Sequence, residues 1–254
     1  MVSMVVIITG AGGGIGASIA ESFASDGSRL LLADLDAHSV TQVAERVGAI
    51  SVTADVATAD GADSVVATAM RQWGTVDVLV NNAASYVTGP LHELDYTAWD
   101  HTVRNVLTSV FACCRAALPV MVDNGSGSIV NVASVNHLIG APHHGAYAAA
   151  KGGVVSLTRQ LAVEYGPLGV RVNSVSPGSV ATEPSHAELD TEAYPLRRHA
   201  RCEEVATVVR FLALDSASFV TGVDVPVDGG LSALSPAAVM SPTLRAKWGL
   251  PPKP

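Results

Sequence analysis

Tyr147 and Lys151 stand four positions apart in an alanine-rich, helix-forming stretch, so a phenol and an ammonium share one helix face about one turn apart. Free Tyr and Lys both titrate near pH 10, roughly, and moving a pKa by one costs about 1.4 kcal/mol. A phenol that accepts a proton near neutrality must be brought well below its free value, which a desolvated neighbouring ammonium and a second positive charge can do. Ser134 lies upstream, where the apolar run Ile129, Val130, Val132 opens into a loop, and its hydroxyl is placed to bind a substrate oxygen. Tyr-x-x-x-Lys is a common spacing on helices, so its weight depends on the elements that precede it.

Those elements begin with Met4 to Ile8, a continuous apolar run of the kind buried on both faces of a parallel sheet. It leads into Thr9-Gly10-Ala11-Gly12-Gly13-Gly14-Ile15-Gly16 and then a helical pattern through Ile19, Ala20 and Phe23. Strand, glycine loop and helix in that order make a phosphate site, because backbone N–H groups face the pyrophosphate and only glycine lets the backbone approach closely. A second strand, Arg29 to Ala33, ends in Asp34, where a carboxylate can bond the ribose hydroxyls of an adenosine and repel a 2′-phosphate. The other reading of Asp34 is a helix cap, a task for which Asp36 is equally well placed.

A third strand, Ala49 to Thr53, leads to Asp55-Val56, a helix follows from about Thr58 to Trp73, and Val76 to Val80 ends in Asn81-Asn82-Ala83-Ala84. A long helix is expected from about Asp95 to Met121 with Asn105 in its middle. After the strand to Val132 comes a helix from Tyr147 to Tyr165, then a strand from Val170 to Val175 closed by Ser176-Pro177-Gly178. Residues 183–199 mix Pro, charges and aromatics without a period and read as a mobile cover or an ordinary surface loop. A helix from Glu203 to Leu214 and a strand from Val223 to Val227 complete the series, ending in Asp228-Gly229-Gly230. The alternation predicts an α/β fold, a three-layer doubly wound arrangement with a seven-stranded parallel sheet flanked by helices.

With 254 residues and a 48% hydrophobic share, the chain is long enough for one large domain, expected over residues 1–230. Residues 231–254 form a C-terminal extension, expected either to be disordered or to dock on a neighbouring subunit through Trp248. The net charge of −8 without Lys/Arg clusters argues against nucleic acid or an anionic membrane as partner. No apolar run approaches bilayer-spanning length and the start lacks a signal-peptide pattern, so a cytoplasmic protein is expected. Cys113, Cys114 and Cys202 have neither metal-ligand spacing nor a plausible pairing, and His143-His144 lacks the spacing of a shared ligand face, so no metal is expected.

Over about residues 4 to 230 the chain resembles the single-domain branch of the short-chain dehydrogenase/reductase family. The matching residues are Gly10, Gly14 and Gly16, Asp55, Asn81-Asn82-Ala83, Asn105, Ser134, Tyr147 with Lys151, Pro177-Gly178 followed by Thr182, and Asp228-Gly229-Gly230. The resemblance implies an NAD-dependent alcohol dehydrogenase or ketone reductase in which Tyr147 is the general acid/base, Lys151 binds the nicotinamide ribose and lowers the phenol pKa, and Ser134 steadies the substrate oxygen. Asn105 would hold a water that links Lys151 to solvent. Cofactor contacts would come from Gly10, Gly13, Gly14, Ile15, Gly16, Asp34, Leu35, Asp55, Val56, Asn82, Ala83, Ala84, Tyr147, Lys151, Pro177, Gly178, Val180 and Thr182. It also implies a homotetramer joined through the helices Asp95 to Met121 and Tyr147 to Tyr165. Two departures stand out: Ala84 where the family usually has Gly, and a tail longer than the pattern requires.

The substrate wall is expected from Tyr86, Val135, Asn136 and His144, together with His137, Ala141 and residues 179–194. This mixed surface has no evident Arg clamp and suits a neutral, moderately apolar alcohol or ketone. A non-catalytic NAD-binding sensor or scaffold of the same fold is the alternative, but such a protein is expected to lose the Tyr or Lys. An epimerase or dehydratase would need a sizeable C-terminal substrate domain that this chain lacks.

Overall fold

The computed structural model describes residues 4–182 and 191–251, so the first part of the expected cover, 183–190, lies outside the described residues. Strand β1 (Val5–Thr9) is buried along its whole length because it is central and covered on both faces. Val5 and Ile7 pack toward one layer of helices and Val6 and Ile8 toward the other, the period of two that a strand imposes. The first layer contains α3 (Ala59–Trp73), α5 (Ser109–Asn124) and α6 (Gly145–Tyr165); the second contains α1 (Gly14–Ala24), α2 (Ala37–Val47) and α7 (Cys202–Ala213). The other strands are β2 (Arg29–Asp34), β3 (Ile50–Thr53), β4 (Val78–Asn81), β5 (Gly127–Val132), β6 (Val170–Pro177) and β7 (Asp224–Val227). All pairs are parallel in the order β3-β2-β1-β4-β5-β6-β7, the seven-stranded doubly wound sheet that the sequence predicts. Strand order reverses between β1 and β4, and their carboxyl ends open the crevice where α/β sheets bind ligands.

The long helix is not continuous. It consists of α4 (Tyr96–Val103), a π-helical turn over Arg104–Thr108, and α5. Asp95 is the N-cap, accepting the Ala98 N–H at 2.7 Å. The interruption has a side-chain cause. Asn105 Nδ2 donates to the His101 carbonyl at 2.8 Å, and Ser109 Oγ donates to the Asn105 carbonyl at 2.9 Å. The Ser109 N–H then reaches back to the Arg104 carbonyl, so polar side chains satisfy acceptors that the regular ladder leaves.

By length and composition, Tyr96–Asn124 is apolar enough to cross a bilayer, contrary to the expectation that no run comes near that length. In this fold the apolarity serves the core: Val110, Cys113, Ala117 and Met121 are buried with residues of α3, β4 and β5. Beyond β7 the chain forms two short helices, α8 (Pro236–Met240) and α9 (Pro242–Lys247), and Trp248 lies 4.0 Å from the Arg197 guanidinium of the same chain.

Candidate active site

The glycine loop is shaped by contacts that a side chain would obstruct. Gly10 has φ +64°, and a Cβ there would lie 2.7 Å from Ala83 Cα. A Cβ on Gly16 would come within 2.1 Å of the Gly10 carbonyl oxygen, so Gly16 permits the close approach of α1 to the loop. Asn82 Nδ2 donates to the Thr9 and Gly10 carbonyls at 3.1 and 2.8 Å and braces the loop. Gly13 faces open space and caps α1 without a side-chain hydrogen bond or an acidic residue in the first turn. The helix N–H groups and dipole there fit a pyrophosphate. Gly14, with φ +51°, and Ile15 carry the loop toward Thr182, whose Cγ2 would sit 3.2 Å from a Gly14 Cβ.

Asp34 closes β2 beside this loop. Its Oδ2 accepts the Gly12 N–H at 2.8 Å and its Oδ1 the Asp36 N–H at 3.1 Å, while Asp36 caps α2 through the His38 and Ser39 N–H groups. Of the two carboxylates it is Asp36 that caps α2, while Asp34 faces the glycine loop. Asp34, Leu35, Asp55, Val56, Ala83, Ala84 and Asn105 line one cleft beside the glycine loop. Two further residues enter here. Gly12 orients Asp34, and Arg104 Nη2 donates to Asp55 Oδ2 at 2.5 Å. Gly12 was legible only as one more glycine. The Arg104 pairing spans 49 residues and has no local sequence signal.

At the other end of the crevice, Ser134, Tyr147 and Lys151 line a cavity of about 710 Å³. Ser134 is the N-cap of a 3-10 turn, accepting the Asn136 N–H at 3.2 Å. Helix α6 starts at Gly145, which puts Tyr147 in its first turn. Lys151 is buried, donates to the Val132 carbonyl at 2.6 Å, and holds its Nζ 5.6 Å from the Tyr147 ring centroid.

The electrostatics correct one expectation. The Tyr147 phenol is pushed up to about 12, chiefly by burial, with a hydrogen bond from Ser134 lowering it and Tyr86 raising it. Burial takes Lys151 down to about 8. Desolvation outweighs the pairing in the protein alone, and the ammonium is directed at a backbone carbonyl.

Tyr86 stacks on Tyr147 with ring centroids 4.1 Å apart, and His144 meets the same ring edge-on at 6.2 Å. Val135, Asn136, Ala141, Pro177, Gly178, Val180 and Thr182 also reach the cavity. His137 does not. It is buried with Nε2 2.9 Å from Asp224 Oδ2, and Asp224 accepts the Ser174 and Ser176 hydroxyls at 2.6 and 2.8 Å. His137 therefore pins the Ser134 turn to β6 and β7 instead of facing substrate. Tyr194, Ile139 and Leu231 line the cavity as well. Among these Tyr194 fell within the expected wall segment, whereas Leu231 was read as tail.

Residues 10–232 match the family described as enoyl-(acyl carrier protein) reductase. The chain is 38% identical over 242 residues to trans-4-hydroxycyclohexanecarboxylate dehydrogenase of Sinomonas cyclohexanicum, covering 90% of this chain and 93% of that one. It is 38% identical over 238 residues to meso-2,3-butanediol dehydrogenase of Serratia marcescens, covering 90% and 94%. The crystal structure of levodione reductase superposes with a TM-score of 0.86 at 31% identity, covering 91% of this chain and 98% of the other.

Proposed function

The chain belongs to the short-chain dehydrogenase/reductase family, and from that premise we propose that it is an NAD-dependent oxidoreductase interconverting an uncharged secondary alcohol and its ketone. Its main support is the meeting of Ser134, Tyr147 and Lys151 in one cavity that Ile15 of the glycine loop and Asn82 also line. Tyr147 is the acid/base: in oxidation its phenolate takes the hydroxyl proton, and in reduction its phenol returns one to the carbonyl oxygen. Ser134 holds that oxygen within reach of the phenol. Bound in the crevice, an oxidised nicotinamide supplies the hydride acceptor and a positive charge. Lys151, already desolvated, adds its own cation beside the phenol, and Tyr86 packs on the phenol ring.

Among the described residues lining the cavity, Lys151 is the only Lys or Arg and there is no Asp or Glu, which favours an uncharged substrate. Cyclohexanol, 4-methylcyclohexanol, meso-2,3-butanediol and a 4-hydroxycyclohexanecarboxylate, each with NAD and followed by NADH absorbance, test the reading. Turnover is expected with the neutral alcohols and poor use of the carboxylate. No turnover with any of them, and no quenching of protein fluorescence by NADH, would sink it.

Asp34 is proposed to bind the adenosine ribose and exclude a 2′-phosphate, since its carboxylate is held at the loop by the Gly12 N–H. Asp34→Ala should raise the KM for NAD by about tenfold or more, the value of a charge-assisted hydrogen bond, and improve use of NADP. Equal kcat/KM for NAD and NADP in the unmodified protein would overturn the role. Arg104 does not alter this expectation, because Asp55 already engages its guanidinium.

A homotetramer is proposed as the working assembly. Its support is an apolar groove between α5 and α6, lined by Phe111, Leu118, Leu157, Leu161, Tyr165 and Leu168.

A further inference from the structure

The tail beyond Gly230 folds back onto residues 191–199 of its own chain. Arg245 of α9 is buried, and all five N–H groups of its guanidinium are engaged. Nη1 and Nη2 bind the two Glu192 oxygens at 3.0 and 2.8 Å, Nη1 also donates to the Val239 carbonyl at 2.7 Å, and Nε and Nη2 donate to the Pro251 carbonyl at 3.0 and 2.6 Å. A second contact lies on the same segment, where the Arg197 guanidinium covers the Trp248 ring at 4.0 Å. Arg197 itself has φ +58°, a conformation a non-glycine residue keeps only where its surroundings demand it.

Between Glu192 and Arg197 lies Tyr194, and Tyr194 reaches the reaction cavity. Its hydroxyl accepts the Ser179 N–H at 3.2 Å, its ring would sit 3.3 Å from a Cβ on Gly178, and His199 packs against it edge-on at 5.5 Å. The wall that shares the cavity with Ser134 and Tyr147 is thus held by the end of β6 on one side and by the C-terminal extension on the other.

We infer that Arg245 and Glu192 are positioning residues for the reaction, latching the extension to 191–199 so that Tyr194 stays fixed as a wall of the cavity; this rests on the functional reading above. A buried ion pair is a poor source of net stability, because desolvation offsets its attraction, but it orients what it joins. Without it, Tyr194 occupies its place for only a fraction of the time, and apparent affinity falls by that fraction while a correctly bound complex turns over as before.

Arg245→Met tests this, with Trp248→Leu as the second variant should the first fail to fold. In the cofactor-free chain, amide exchange over 193–199 should speed up by about tenfold, and the KM of the best alcohol in the panel should rise by about the same factor with kcat within about twofold. Glu192→Gln should move both readouts the same way. Unchanged KM in a folded variant, whether or not exchange quickens or the melting temperature falls, overturns the inference. If wild type binds no NADH, the functional reading fails instead, and exchange alone then judges the latch.

Discussion

Tyr147→Phe should lower turnover by about three orders of magnitude, the middle of the range that a positioned acid/base contributes. The substitution removes one oxygen and keeps the ring, so the stacking with Tyr86 at 4.1 Å and the start of α6 stay in place. NADH affinity should change little, which separates a lost proton transfer from a damaged fold. Among the other described groups near the cavity, Ser134 is a weak acid and His144 meets the ring edge-on, 6.2 Å between centroids, so neither is placed to replace the phenol. Steady-state rates with a panel alcohol, alongside NADH titration and a melting curve, decide the matter. A folded, cofactor-binding variant that kept more than about a tenth of wild-type activity would make Tyr147 structural.

Much of this architecture was legible because it depends on local pattern. The β-branched run through Val5 to Ile8 could only be a strand covered on both faces, and the glycine loop after it announced the crevice. Asp34 and Asp36 were both visible, but their division of labour needed the Gly12 N–H on one and the α2 N-terminus on the other. The interruption at Asn105 was hidden because it comes from Asn105 and Ser109 competing for backbone acceptors, not from a helix breaker. Arg104 with Asp55, His137 with Asp224 and Arg245 with Glu192 join positions far apart in the chain, and no periodicity reports them. The upward shift of the phenol in the cofactor-free chain was not legible for a different reason: spacing shows that a cation is near, whereas burial decides what the nearness is worth before a second positive charge arrives.

Lys151→Met should weaken cofactor binding and still stabilise the cofactor-free protein near neutrality. Burial lowers the Lys151 ammonium from 10.5 to about 8. Between those two values the unfolded chain holds a proton that the folded one has released, so this group makes stability rise with pH across that window. Below it, the folded protein carries the buried charge at a penalty of about 3 kcal/mol, the free-energy equivalent of that lowering. Methionine removes the penalty but leaves the buried Val132 carbonyl without its 2.6 Å donor, a loss of about 1–3 kcal/mol. The variant should therefore be more stable than wild type at pH 7, by up to about 2 kcal/mol, with the difference shrinking as the pH approaches about 10. Urea unfolding at about pH 7, below the interval that the two Lys151 values define, and at about pH 9.5, inside it, measures the difference, and the Tyr147 phenol is common to both proteins and cancels from it. The functional loss runs the other way: without the cation, NADH should bind more weakly and the alkaline limb of any residual oxidation should move upward. A variant less stable than wild type near neutrality, or an advantage that does not shrink at the higher pH, would show that the ammonium is not held against desolvation and that its role beside Tyr147 has to be found elsewhere.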